Sequence, residues 1–220
     1  MSFARFTRTA LGCALGATVF MVALSAATSE RVTQRLPLAL NTARITIDGD
    51  SNLHPYTAST TVVNVVRVQL ADDVVGPVFW TNVIRPDALQ AFEVVIPAAT
   101  LSSPRDGLNK NMHKALKAVE HADIVFKLTK LEAGATAGTY RALGTLRVAG
   151  VEKDVALPIT AQVQDGTMTV KGDIELLMPD FGIAPPKAML GMLKTEPKVK
   201  VTFEAVMSNP LMTDADQDGA

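Results

Sequence analysis

Along much of the chain, apolar and polar residues alternate one by one. Met168, Val170, Ile174 and Leu176 alternate with Thr167, Thr169, Lys171, Asp173 and Glu175. Val199, Val201, Phe203 and Ala205 alternate with Lys198, Lys200, Thr202 and Glu204. Val155, Leu157, Ile159, Ala161 and Val163 do the same around Pro158. A strand sends successive side chains to opposite faces, so each run predicts a strand with one apolar and one wet face. Gly172, on the apolar side of its run, predicts a bend or bulge. Pro158 lacks an N–H and predicts an edge or a local irregularity. Shorter runs at 45–48, 57–63, 65–70, 92–96, 124–132 and 140–148 also read as strands.

Turn residues separate these runs. Asp165-Gly166 makes 156–177 a hairpin, because this dipeptide tolerates the positive φ of a tight turn. Ala149-Gly150 divides two further strands, and the glycines at 134 and 138 bracket another turn. The expected fold is all-β: an antiparallel barrel or sandwich of about eight strands joined by short connections.

Two stretches break the alternation. Leu108, Met112, Ala115, Leu116 and Val119 recur at spacings of three and four, which predicts one helix over 106–119. Ser102 or Ser103 is placed to cap it, and Pro104 suits its first turn. The segment 179–197 is too long for a hairpin turn and too apolar for a solvated loop. Its Phe181, Ile183, Met189, Leu190, Met192 and Leu193 need burial, either at a barrel mouth or against an outer wall.

The N-terminus carries a different signal. Arg5 and Arg8 precede an apolar run to Ala27 that ends in small residues, the layout of a secretory signal peptide over 1–27, with an uncleaved membrane anchor as the rival reading. An arm over 28–41, a domain over 42–209 and a polar, acidic tail over 210–220 follow. Cys13, the one cysteine, lies in the signal segment, so the mature domain has no disulfide or thiolate metal site. The net charge is −1, with no basic block to suggest nucleic acid. No nucleophile elbow is present. His54, His113 and His121 lack further ligands at metal-binding spacing. Asp214-Ala-Asp-Gln-Asp-Gly219 matches half of a calcium loop but has no glutamate at its end. The residues therefore predict neither an enzyme nor a cofactor.

Four stretches together resemble the YceI-like, polyisoprenoid-binding proteins over most of 42–207. Ile-Asp-Gly-Asp-Ser-Asn-Leu-His at 47–54 is similar to the family's opening Gly-x-Ser-x-x-His strand. Val-Ile-Pro-Ala-Ala-Thr-Leu-Ser-Ser at 95–103 precedes Met-His-Lys-Ala-Leu at 112–116 and Ile-Val-Phe at 124–126. Gly-Thr-Leu-Arg-Val-Ala-Gly-Val-Glu-Lys-Asp-Val-Ala-Leu at 144–157 is similar to Gly-x-Leu-x-x-x-Gly-x-x-(Lys/Arg)-x-Val. Asp-Phe-Gly-Ile-Ala-Pro-Pro at 180–186 precedes Val-Lys-Val-Thr-Phe at 199–203. The resemblance implies a lipocalin-like barrel with an elongated apolar cavity, export to the periplasm, and a lipid with an isoprenoid chain (a polyprenyl lipid or isoprenoid quinone). It does not imply an enzyme.

Such a ligand offers only methyl and alkene surface, so its wall must be apolar. Candidate lining residues on the early and middle strands are Phe92, Val94, Ile96, Ile124, Phe126, Leu128, Leu146 and Val148. Later strands supply Leu157, Ile159, Met168, Val170, Ile174, Val201 and Phe203. Met112 and Leu116 close one end from the helix, and Met189 and Met192 suit a gate. His54, Arg105, Asp106 and His113 are the candidates for a polar head group, with a structural role for His54 as the competing reading. The expected membrane contact is transient. A small barrel is filled by its own side chains or holds one ligand, and the pattern leaves both open. With a filled barrel, the protein is an envelope or stress interaction module instead.

Overall fold

The computed structural model describes residues 36–188 and 193–212. The signal segment, Met189, Met192 and the tail beyond 212 lie outside the described residues. The strands are β1 (Ala39–Ser51), β2 (Tyr56–Thr60), β3 (Asn64–Leu70), β4 (Leu89–Pro97) and β5 (Asp123–Ala133). They continue with β6 (Thr139–Val148), β7 (Val151–Gln164), β8 (Thr167–Leu177), the two-residue β9 (Lys187–Ala188) and β10 (Leu193–Ser208). All pairings are antiparallel, in the order β2-β1-β10-β8-β7-β6-β5-β4-β3, with β9 off the path on β10.

This is a curled, lipocalin-like sheet, not the closed eight-stranded barrel expected. Its two ends, β2 and β3, are consecutive in the chain, joined by residues 61–63, and no ladder pairs them. That tether holds the ends of β2 and β3 it connects within about 15 Å of each other. The free edge of β2 is met instead by the loop after β4: the amide and carbonyl of Ser59 exchange hydrogen bonds with those of Ser102, at 2.8 and 3.0 Å. Thr60 and Thr100 share a hydroxyl hydrogen bond of 2.8 Å beside it. This strap occupies groups that closure would need, and it covers an otherwise bare edge.

The hairpin turns follow the sequence signals. Ala149-Gly150 and Asp165-Gly166 have φ of 50° and 83°, and 50° and 68°, so both central residues are left-handed, as a type I′ hairpin turn requires. Pro158 marks the local irregularity foreseen for it. β7 pairs with β8 only from Ile159↔Gly172 to Gln164↔Thr167, while its ladder with β6 runs on to Val148↔Val151.

Gly172, in contrast, is not at a bulge, because its ladder with β10 is continuous. It makes room: a Cβ there would lie 2.6 Å from Phe203 Cζ and 2.5 Å from the Pro158 carbonyl oxygen. The Phe203 ring thus covers the glycine from the partner strand.

The helices also differ from expectation. α2 (Asp106–Ala115) is shorter than 106–119. Lys117 turns left-handed at φ 52°; its amide donates to the Lys114 carbonyl (3.1 Å) and that of Ala118 to the His113 carbonyl (2.9 Å). These two bonds are a Schellman stop, made here without glycine. Val119 consequently falls off the apolar face and is 95% exposed. Neither Ser102 nor Ser103 caps the first turn. Ser102 is in the strap, and Ser103 Oγ donates to Asn109 Oδ1 (2.9 Å) while accepting from the Arg105 amide (3.1 Å). Pro104 precedes the helix rather than starting it.

A second short helix, α1 (Phe79–Val83), was not expected; five residues show no period. It buries Phe79, Trp80 and Val83, with the first two rings edge to face at 5.0 Å. Two core clusters result. One gathers α1 with Leu38, Ala161, Met168 and Met207; the other gathers Leu101 and Leu116 with Ile96, Ile124, Phe181 and Ile183.

Gly172→Val should lower unfolding stability by about 1–3 kcal/mol through overpacking. Adding Phe203→Leu should recover part of the loss in urea denaturation, whereas simply additive losses would disprove the pairing of glycine with ring.

Candidate ligand-binding cavity

The two clusters sit toward opposite ends of the strands, and between them the inward side chains do not fill the space. A cavity of about 590 Å³ remains, within the ~300–1,000 Å³ of small-molecule sites. β4 contributes Phe92, Val94 and Ile96 to its wall; β5 contributes Ile124, Phe126 and Leu128; β6 contributes Leu146 and Val148. From β7 come Leu157 and Ile159, from β8 Met168, Val170 and Ile174, and from β10 Val201 and Phe203. Met112 and Leu116 face it from α2. The structure thus brings every described apolar candidate onto one surface.

Several wall residues escaped the sequence reading. Leu40, Ala43, Ile45 and Ile47 line the cavity from β1, but a register shift between Leu40 and Thr42 breaks their alternation. Leu131 follows Leu128 into the interior for the same reason, after a shift between Leu128 and Lys130. A strict period of two loses its phase at such a bulge. Ile45 and Ile47 alone kept a readable signal. Phe181 and Ile183, from the irregular 179–197 segment, are buried at the α2 end and also line the cavity.

The solvent-exposed members of the lining mark its mouth. Apart from Glu204, whose carboxylate pairs with Lys171 at 3.0 Å, they are His54, Arg105, Gly107, Asn111 and Leu177. Ser51, Tyr56 and Thr195 add polar groups nearby, Ser51 facing Thr195 across the β1–β10 ladder. The wall beyond is almost wholly apolar.

Ser51 explains why His54 sits at this rim. Its hydroxyl donates to the His54 carbonyl (2.7 Å) and accepts from the His54 amide (3.2 Å), which ties the 51–54 turn into a knot. His54 Nδ1 lies 3.3 Å from the Pro55 carbonyl, and Arg105 Nη1 lies 3.1 Å from both ring nitrogens. With Nδ1–H donating to Pro55, Nε2 is the acceptor left for the guanidinium. His54 therefore has a structural carbonyl contact and a place at the mouth. Beside it, burial first and the Asp50 carboxylate second raise the Tyr56 phenol above its ordinary pKa, keeping it a neutral hydroxyl.

The other two polar candidates do not reach the cavity. Asp106 is exposed on the first turn of α2, outside the lining. His113 Nε2 donates to the Leu101 carbonyl at 2.7 Å, so its ring fastens α2 to the loop beneath. His121 is not on the helix with it; its ring lies against Gly150, where a Cβ would come within 2.4 Å of Nε2. Among the described residues no group of three or more His, Cys, Asp or Glu is placed to hold a metal ion.

A curled antiparallel sheet around an apolar cavity, whose exposed polar groups apart from Glu204 stand at the rim, is a lipocalin-like fold suited to a hydrophobic ligand. The family model for the YceI-like domain matches residues 56–207. The chain belongs to the YceI-like family. Solved structures share the fold. Burkholderia cenocepacia BcnA aligns with a TM-score of 0.58 at 13% identity, over 74% of this chain and 95% of that one. A polyisoprenoid-binding domain from Saccharophagus degradans, implicated in plant cell wall breakdown, aligns at 0.56 and 13% identity, over 80% of this chain and 100% of that one. The Campylobacter jejuni YceI protein aligns at 0.52 and 17% identity, over 74% and 85%. No curated protein sequence matches the chain.

If the interior is hollow, a larger side chain has somewhere to go. Ala43→Phe, pointing inward from β1, should change stability by under about 1 kcal/mol, where a filled core would lose about 1–3 kcal/mol. Thermal unfolding separates the two.

Proposed function

We propose that this protein is an exported, non-enzymatic carrier that holds the isoprenoid chain of a lipid, a polyprenyl lipid or an isoprenoid quinone, in the cavity. The observation that carries this reading is the apolar wall drawn from eight strands and α2, whose exposed polar groups, Glu204 apart, stand at one rim. A flexible hydrocarbon with one polar end is the ligand that such a gradient fits. The description of the Saccharophagus degradans relative as a polyisoprenoid-binding domain supports the same chemistry.

Size bounds the enclosed part. At the ~30 Å³ that a water molecule occupies in the liquid, the cavity holds about twenty water-sized groups, or roughly four five-carbon units. Burying about twenty carbons at ~0.8 kcal/mol each yields about 16 kcal/mol before the costs of association. Those costs run to roughly 4–15 kcal/mol. A longer chain must extend through the mouth. There Arg105 and His54 are positioned for a phosphate or quinone oxygen, the guanidinium as donor. Met189 and Met192 belong to this reading as gate residues, from the segment that follows Pro186. The signal-like 1–27 segment supports export to the periplasm.

Native mass spectrometry of protein purified from the periplasm, followed by extraction of the adduct, tests the proposal. A one-to-one adduct with a prenyl fragmentation pattern is expected. Filling the cavity with Ala43→Phe and Ala205→Phe together should lower occupancy at least tenfold while the fold persists. A bare mass that stays bare after incubation with prenyl lipids would move the assignment to an envelope interaction module.

A further inference from the structure

We propose that the outer surface of α2 and its two flanking turns is a docking face for an anionic lipid bilayer, placing the cavity mouth against the membrane. The ligand in this proposal rests on the carrier reading above; the docking face itself does not.

The helix has two chemically distinct sides. Gly107, Leu108, Asn111, Met112 and Ala115 face the cavity. At ~100° per residue, Lys110 projects away from that side and Lys114 projects from the flank, about a quarter turn from it. Both are exposed, as is Lys117 in the turn that stops the helix. Among the described residues, none of the three nor Arg105 forms an ion pair. Over 105–121 these four cations face two carboxylates, Asp106 and Glu120, in a chain whose net charge is −1.

An exposed aliphatic stands at each end. Val119 is 95% exposed on the capping turn, and Leu53 is 58% exposed on the turn knotted by Ser51. Leu53 adjoins His54, which touches Arg105 at the start of α2. The surface therefore runs from an apolar tip, across a basic helix about 15 Å long, to a second apolar tip. Exposed lysines spaced along the helix and single aliphatics at the margins suit the headgroup region, where basic residues find anionic lipid and short apolar side chains insert. A protein interface would instead concentrate aromatic residues and arginine in a packed centre, and this face has none in its middle.

Co-sedimentation with phosphatidylcholine vesicles, with and without phosphatidylglycerol, tests the face. The full chain should bind the anionic vesicles, and added salt should weaken binding. Lys110→Glu, Lys114→Glu and Lys117→Glu together should cut vesicle affinity by about 100-fold. Leu53→Ser with Val119→Ser should cut it separately. Both variants should keep their thermal stability and their affinity for a prenyl-alcohol probe in solution, because none of these side chains lines the cavity. Equal binding to neutral and anionic vesicles, no binding to either, or a triple variant that still binds would overturn the docking face; binding to neither would leave an acidic protein surface as its partner. Loss of probe binding with docking intact would sink the carrier reading alone.

Discussion

β10 satisfies the backbone hydrogen-bonding groups of β1 on one side and of β8 on the other. In doing so it joins the first strand of the domain to its last hairpin. Its register with β1 runs from Ala39↔Ser208 to Ser51↔Thr195, and with β8 from Lys198↔Leu177 to Ser208↔Thr167. Every other strand on the path pairs with a sequence neighbour, through short turns except for 71–88 and 98–122, which carry α1 and α2. Without β10 the chain would form a meander and a separate hairpin. With it, the twist that strands accumulate wraps one sheet around an interior. On the outer face Lys198–Glu175, Lys200–Asp173 and Lys171–Glu204 bridge the same strands. They are exposed pairs of small individual worth, but opposite charges across a ladder disfavour a slipped register.

The interior is hollow because the largest inward groups are gathered at its ends. α1 brings Phe79 and Trp80 to one end, while α2 and the 178–183 turn bring Leu116, Phe181 and Ile183 to the other. Along the middle, Gly144 and Gly172 leave room for the rings of Phe126 and Phe203, which stand where a Cβ would otherwise be crowded. Close packing at the ends thus supports an unfilled centre, and the apolar wall is held without side chains meeting across it.

The rim adds the polar chemistry at little structural cost. One serine ties the turn that carries His54, and one helix start supplies Arg105, so both groups stand at the opening while the wall below stays apolar. The same α2 that lines the cavity with Met112 and Leu116 presents lysines outward. Binding face and outer face are two sides of one short helix, and the amphipathic spacing of its residues sets both.

Local rules decided much of this in advance. Alternation placed the strands, two dipeptides with left-handed tolerance placed the hairpins, and a spacing of three and four placed α2. The inward faces of β4 to β8 and of β10 were legible for the same reason, since orientation in a regular strand depends only on parity. The bulges in β1 and β5, the length of α2 and the short α1 were not legible, because each answers to a neighbour rather than to its own sequence. Gly172 shows the limit: the chain marks it as unusual, but only the approach of Phe203 tells that it makes room for a ring. Whether the sheet closes, and whether its interior is full, depend on the sum of twist over nine strands and on the volume of side chains far apart in the chain. The Ser59–Ser102 bridge settles the first by occupying an edge, and the placement of the aromatic residues settles the second.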